Sequence, residues 1–330
     1  MKIKVLITAV NSSPGRAVFN SLKTKKDFQL YYIDSDKNSV FHYLKDKNFF
    51  IAPLAKNKNY KRFITNLIKK KKIDVIIPCI EPEVIFYSKN HDFFKNKVNM
   101  LIPKYQTINK VTNKYNLYLE CKKLKIDTPF SRQITFPIKK KIKNLKLPVI
   151  IKPIIGWGMN NIVIIKKIKD FKKMTFNLRG NFIIQKYLGD FKKNTYAVGL
   201  LFDKKNKEKL SFVSKSILTK FKNGGPAIAG VEVKNQKLIN ISRKLINSLK
   251  DFSGPAMIEF IKHRNGNKYS LIDFNPRIWG YSSLATFNGK NFPEAIIKIL
   301  YNKKINIGKK YFKKFMILRD FEDLKIPIKK

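Results

Sequence analysis

Gly254-Pro-Ala-Met-Ile-Glu-Phe260, then His263-Arg-Asn-Gly-Asn267, then Leu271-Ile-Asp-Phe-Asn-Pro-Arg277 is the stretch on which the fold turns. Two apolar runs flank a cluster of turn-forming residues, which is the pattern of a β-hairpin from Ala256 to Asn275. Charged and amide side chains interrupt both runs. Strand side chains alternate faces, so Asp273 and Asn275 point the same way. Register decides where Glu259 points. A two-residue turn at Asn265-Gly266 puts Glu259 opposite Ile272 and leaves Asp273 on the other face. A three-residue loop, Arg264 to Gly266, puts Glu259 opposite Leu271, and a loop of Asn265 to Asn267 pairs it with Asp273. On this reading only an odd-length loop brings the oxygens of Glu259, Asp273 and Asn275 together. Two carboxylates and an amide oxygen on one face suit a hard cation such as Mg2+, with Mn2+ as the alternative. Without a cation they are solvent-facing alternates of a half-exposed hairpin. Pro276 cannot extend a central ladder, so the strand ends there and Arg277 projects from its tip.

Three further segments gain meaning beside that hairpin. In Pro148-Val-Ile-Ile-Lys152-Pro153, followed by Gly156-Trp-Gly158, a lysine leaves an apolar strand just before a glycine loop. One cation and several backbone N–H groups can then face a triphosphate. Phe182-Ile-Ile-Gln185-Lys-Tyr187-Leu188-Gly189 is an apolar strand ending at glycine, either an ordinary core strand or a hinge whose backbone reads an adenine edge. Lys114 opens a helix that runs from Asn113 to Leu124, where the helix dipole disfavours a cation unless an anion lies nearby.

The N-terminal third alternates strand and helix signals. Lys4 to Val10, Phe28 to Ile33 and Ile73 to Pro78 are apolar strands, and Tyr60 to Ile68 is an amphipathic helix. Apolar strands alternating with helices imply a parallel sheet covered on both faces, a Rossmann-like unit. The loop Asn11-Ser-Ser-Pro-Gly-Arg16 lacks the dinucleotide fingerprint, so NAD is not the expected ligand. After Thr107 the pattern becomes mixed and then mainly antiparallel.

Composition narrows the partners. Apolar residues make up 44% of the 330-residue chain, enough for packed domains despite a formal charge of +48. Most of the excess is lysine, accompanied by abundant Ile, Asn, Phe and Tyr, a set that shares A/T-rich codons. Arginine, which reads guanine edges bidentately, is scarce, so no nucleic-acid partner is expected. Cys79 and Cys121 make neither a disulfide framework nor a zinc site, and His42, His91 and His263 lack ligand spacing. No run approaches the ~18 apolar residues of a membrane span. A cytoplasmic location is expected.

Taken in order, these segments resemble the ATP-grasp superfamily, most closely its carbamoyl-phosphate-synthase-like branch, over roughly Lys4 to Tyr301. The resemblance implies a Rossmann-like preATP-grasp domain at 1–105, ATP-grasp subdomain A at 106–180, subdomain B with the metal site at 181–305, and a basic tail at 306–330. The fold class is then α/β and α+β. By the same resemblance Lys114 and Lys152 contact ATP phosphates, and Gly156 to Gly158 cover them. Gln185, Tyr187 and Leu188 line the adenine pocket. Glu259, Asp273 and Asn275 hold Mg2+, and Arg277 and Lys152 assist phosphoryl transfer. Glu83 resembles an acid common in the preATP domain. Two departures stand out: Asp273 replaces the usual Glu, and Asn194 and Thr195 stand where the family places a ribose-binding acid. The implied activity is ATP-dependent C–N bond formation between a small carboxylate and an amine through an acyl phosphate, and the resemblance allows a homodimer, since dimers are frequent in similar proteins. The alternative is a degenerate ATP-grasp protein that binds nucleotide without ligating. With one ATP-grasp unit and no amidotransferase unit, full carbamoyl phosphate synthesis is not expected.

Overall fold

The computed structural model describes the chain except residues 138–144, 157–160, 176, 190–193, 222–223, 264–265, 267, 309–315 and 319–330. Strands β1 (Ile3–Ile7), β2 (Phe28–Asp34), β3 (Phe49–Ile51) and β4 (Val75–Ile77) form a parallel sheet in the order β3-β2-β1-β4. Val5, Leu6 and Ile7 are fully buried, because both faces of this sheet are covered. Val5 and Ile7 pack with Val18 and Leu22 of the helix Ser13–Leu22. Leu6 packs on the other side with Ile64 and Leu67 of the helix Tyr60–Lys71. An uninterrupted apolar run is what such a strand requires. Ser12 caps the first helix by accepting a hydrogen bond from the Gly15 N–H. A Cβ on Gly15 would lie 2.2 Å from the Ala9 carbonyl oxygen, so the helix can start this close to the strand only with glycine there.

A second, antiparallel sheet holds β5 (Ser131–Phe136), β6 (Val149–Pro153), β7 (Val163–Ile165) and β8 (Gly180–Lys186) in the order β5-β8-β6-β7. A third holds β9 (Thr195–Phe202), β10 (Glu208–Phe221), β11 (Gly224–Glu232), β12 (Gly254–Lys262), β13 (Tyr269–Asn275) and β14 (Met316–Leu318), in the order β13-β12-β9-β10-β11-β14. One face of this sheet buries Val198, Leu200, Ile258 and Phe260 against Leu238, Leu245 and Ile246 of the helix Gln236–Ser248. Its other face is left to build a cavity. The mixed α/β and α+β class expected from the sequence is the class observed. Gly224-Gly225-Pro226, read as a loop, opens β11 instead. Within the stretch read as a basic tail, β14 pairs with β11.

The parallel sheet and the third sheet share one core. Val5, Ile7 and Val18 belong to the same buried cluster as Leu201, Phe212, Met257, Trp279 and Phe292. Polar ties reinforce it: Asn291 Nδ2 donates to the Ser21 carbonyl at 2.8 Å, and Lys25 pairs with Glu294 at 2.7 Å. The N-terminal unit is therefore held against the sheet that carries the hairpin.

Candidate functional site

The antiparallel hairpin brings the three metal-binding candidates to one face, by a route the sequence did not indicate. From the turn outward, Lys262 pairs with Tyr269, Ile261 with Ser270 and Phe260 with Leu271; the next pair is Glu259 with Asp273. Ile272 is an extra residue, a β-bulge that shifts the register by one. Near the turn the register is the one an even-length loop gives, so the expectation that only an odd loop could align these oxygens is overturned. Arg264, Asn265 and Asn267 lie outside the described residues. Tertiary contacts hold the bulge: the Leu271 N–H donates to the Asp127 carbonyl at 2.8 Å, and the Leu271 carbonyl accepts from Thr128 Oγ1 at 3.0 Å. Directly opposed side chains in such a pair stand roughly 5 Å apart at Cβ.

Glu259, Asp273 and Asn275 line a cavity of about 390 Å3 between the second and third sheets. Burial, together with the neighbouring Asp273 charge, pushes the Glu259 carboxyl well above the usual range. Two acids in this relation call for cations, and the site supplies two lysines. Lys152, on β6, is 8% exposed, and its ammonium donates to the bulge carbonyl of Ile272 at 3.2 Å. Burial lowers its pKa to about 8, against the attraction of Asp273. Lys114 is the first residue of the helix Lys114–Lys123, which Asn113 caps through the N–H groups of Tyr115 and Asn116. Its ammonium donates to the Gly156 carbonyl at 2.9 Å and lies 3.7 Å from Asp273 Oδ1. Those oxygens answer the question of why a cation sits at this helix start.

Arg277 also faces the cavity. Its guanidinium donates to Asn275 Oδ1 and to the Ile278 carbonyl, each at 3.0 Å, which fixes Asn275 as well. At the other end Gln185 and Leu188 stand on the wall. Gln185 Nε2 donates to Ser131 Oγ at 2.9 Å. Among the described residues on the wall Tyr187 is not included; its N–H donates to the Pro148 carbonyl at 3.0 Å. Gly156 lines the cavity, and Gly158 lies outside the described residues. Thr195 is on the floor. Among the described residues no group of three His, Cys, Asp or Glu gathers as a metal centre; the third donor here is the amide of Asn275.

The two acids of the Glu81-Pro82-Glu83 segment go to different places, and Glu81 was not singled out from sequence. Glu83 is turned into the N-terminal core, where it accepts a hydrogen bond from Thr8 Oγ1, and burial raises its pKa to about 7. Glu81 is the one that lines the cavity, beside Ser12 and Ser13. Burial raises its carboxyl to about 7 too, opposed by Lys114. Trp279 was also missed as a wall residue. Its ring closes against Gly199, where a Cβ would come within 2.0 Å of it.

The ATP-grasp domain family matches residues 111–281, and the PylC-like N-terminal domain family matches residues 5–102. Among solved structures, an L-amino acid ligase from Bacillus licheniformis superposes with a TM-score of 0.68 at 13% identity, covering 91% of this chain and 74% of that one. A carboxyaminoimidazole ribonucleotide synthase from Aspergillus clavatus, complexed with ATP, gives 0.68 at 17% identity, with coverages of 94% and 79%. Biotin carboxylase from Campylobacter jejuni, in a β-γ-ATP complex, gives 0.68 at 16% identity, with coverages of 92% and 72%. At these identities the likeness is one of fold. The comparison with curated proteins finds no match.

Proposed function

The chain belongs to the ATP-grasp family, and from that membership and the cavity above we propose that it is an ATP- and Mg2+-dependent carboxylate–amine ligase acting on small molecules through an acyl phosphate. One observation carries the reading: Glu259 stands opposite Asp273 beside Asn275, with the ammonium groups of Lys114 and Lys152 turned into the same cavity. The donor set fits Mg2+, because two carboxylates and an amide oxygen are hard ligands. When bound, Mg2+ would neutralise charge on the phosphates. Lys114 and Lys152 hold phosphate oxygens, and Gly156 lets backbone approach them. Gln185 and Leu188 border the nucleobase end. Arg277 orients the substrate carboxylate and stabilises charge on the group in transfer.

In this reaction a carboxylate oxygen attacks the γ-phosphorus of ATP, the bond to the β-phosphate oxygen breaks, and ADP leaves. The amine, after giving a proton to water, attacks the acyl carbon through its nitrogen lone pair; the C–O bond to phosphate breaks, phosphate leaves with the electron pair, and the nitrogen's second proton goes to the departing phosphate. The chain contributes positioning and electrostatics, as phosphoryl transfer requires. Among the described residues no helix is long and apolar enough to cross a membrane. Both cysteines are buried and free, which supports a reducing cytoplasm.

The proposed division into 1–105, 106–180 and 181–305 is drawn through a sheet at its second boundary, since β8 pairs with β5 and β6.

The test is ADP release with a panel of carboxylates and amines in Mg2+. ADP formation that needs both partners supports the ligase. Folded protein that binds ATP but releases no ADP with any pair overturns it. Asp273, shorter than the family's Glu, and Thr195 in place of an acid on the floor favour the second reading, nucleotide binding without ligation. Under that reading Asp273→Ala leaves biological activity intact.

A further inference from the structure

The cavity holds one acid that the phosphate and metal chemistry does not use. Among the described lining residues the acids are Glu81, Glu259 and Asp273, and the last two belong to the cation face. Glu81 comes from the N-terminal unit, as the first residue of the helix Glu81–Lys89. Its side chain is 3% exposed, and Oε1 is fully shielded without a hydrogen-bond partner. An acid at a helix start ordinarily serves the helix dipole, but that role needs no burial. Burying a carboxylate with an unpaired oxygen is unfavourable, so fold stability alone does not account for it. Nearby cations hydrogen-bond to other groups, although Arg277 Nε is left without a partner and feels the Glu81 charge. Lys114 is held by Gly156 and Asp273, and Arg277 by Asn275 and Ile278.

A carboxylate lacking a donor, in a cavity otherwise rich in cations, is complementary to a cationic N–H group. Resting on the ligase reading, we propose that Glu81 receives the ammonium of the amine substrate, in a subsite bounded by Ser12 and Ser13 of the N-terminal unit. Amines enter at neutral pH as ammonium ions, whereas the carboxylate substrate and the nucleotide are anions suited to Lys114, Lys152 and Arg277. The amine would thus be selected by the N-terminal unit and the acyl donor activated on the ATP-grasp sheets. Glu81 stands where the two meet, within electrostatic reach of Lys114, Asp273 and Arg277.

The experiment compares the wild-type chain with Glu81→Gln and Glu81→Asp, using two kinds of nucleophile. Hydroxylamine is largely uncharged at neutral pH and traps an acyl phosphate as a hydroxamate. Primary amines from the same panel arrive as cations. Loss of a charge-assisted contact is expected to raise the amine KM of Glu81→Gln roughly 10- to 100-fold. Hydroxamate formation should fall at least tenfold less than amide formation, and Glu81→Asp should recover part of the amine KM. Equal losses with both nucleophiles overturn the proposal, because Glu81 would then serve the acyl or nucleotide half. Unchanged amine KM in Glu81→Gln overturns it as well. Failure of the ligase reading looks different: the wild-type chain itself then gives neither ADP nor hydroxamate.

Discussion

Replacing Lys152 by methionine should abolish turnover and at the same time make the nucleotide-free protein more stable. The lysine titrates at an ordinary 10.5 in the unfolded chain and near 8 in the fold. Below about pH 8 it is charged in both states, and the folded state bears the penalty of a buried ammonium. Between the two values the unfolded chain binds more protons, so this site adds stability as pH rises. Above 10.5 it is neutral in both states and contributes nothing. A fall from 10.5 to about 8 corresponds to about 3 kcal/mol at neutral pH. The hydrogen bond to the Ile272 carbonyl returns about 1 kcal/mol. Methionine fills a similar volume without the charge, so a net gain of about 2 kcal/mol is expected at pH ~7. The gain should shrink below about 1 kcal/mol by pH ~9.5. Urea unfolding of both proteins at the two pH values measures it, and ADP release measures the loss of function, expected to be at least ~100-fold. A less stable variant at neutral pH, or a stability difference that ignores pH, refutes the reasoning.

Further outcomes follow from named contacts. Gly199→Ala should destabilise by at least ~2 kcal/mol because Trp279 must move; adding Trp279→Phe should recover at least ~1 kcal/mol of that, and strict additivity of the two changes would count against the packing argument. Mg2+ with a non-hydrolysable ATP analogue should stabilise the wild-type chain by about 2.7 kcal/mol at a hundredfold excess over Kd. Asp273→Asn should lose most of this shift, as read by thermal melting; an unchanged shift would remove Asp273 from the metal site. Deleting Ile272 makes Leu271 and Asp273 neighbours, so Glu259 stays opposite Asp273 while Lys152 loses its acceptor. Metal-dependent stabilisation should survive, and ATP affinity should fall about tenfold by calorimetry. Loss of both would show that the bulge sets the register in some other way.

The N-terminal strands and the hairpin were legible because their signals are local. Val5 to Ile7 is buried on both faces, and the alternation of Asp273 with Asn275 survives any register. The bulge was not legible. It is held by Asp127 and Thr128, far away in sequence, and nothing in Leu271-Ile-Asp273 announces it. β5 escaped notice for a related reason: Arg132 and Gln133 are exposed, so its apolar pattern is thin, and pairing with β8 makes it a strand. The choice between Glu81 and Glu83 is invisible in sequence, since two residues' spacing on a helix places their side chains on different sides. The family resemblance singled out Glu83 without assigning it a role; its side chain accepts a hydrogen bond from the buried Thr8 hydroxyl.

The 3.7 Å approach of Lys114 to Asp273 bears on how the site changes hands. Before any ligand arrives, the pair neutralises itself across the cleft. In the proposed site, nucleotide phosphate would take the lysine and Mg2+ the aspartate. Binding would then be an exchange of partners among charges already stripped of much of their water. Nucleotide alone, or metal alone, would strand one member of the pair. On the proposed reading the arrangement would favour joint entry of the complex over either component, a form of coincidence detection set by a single ion pair.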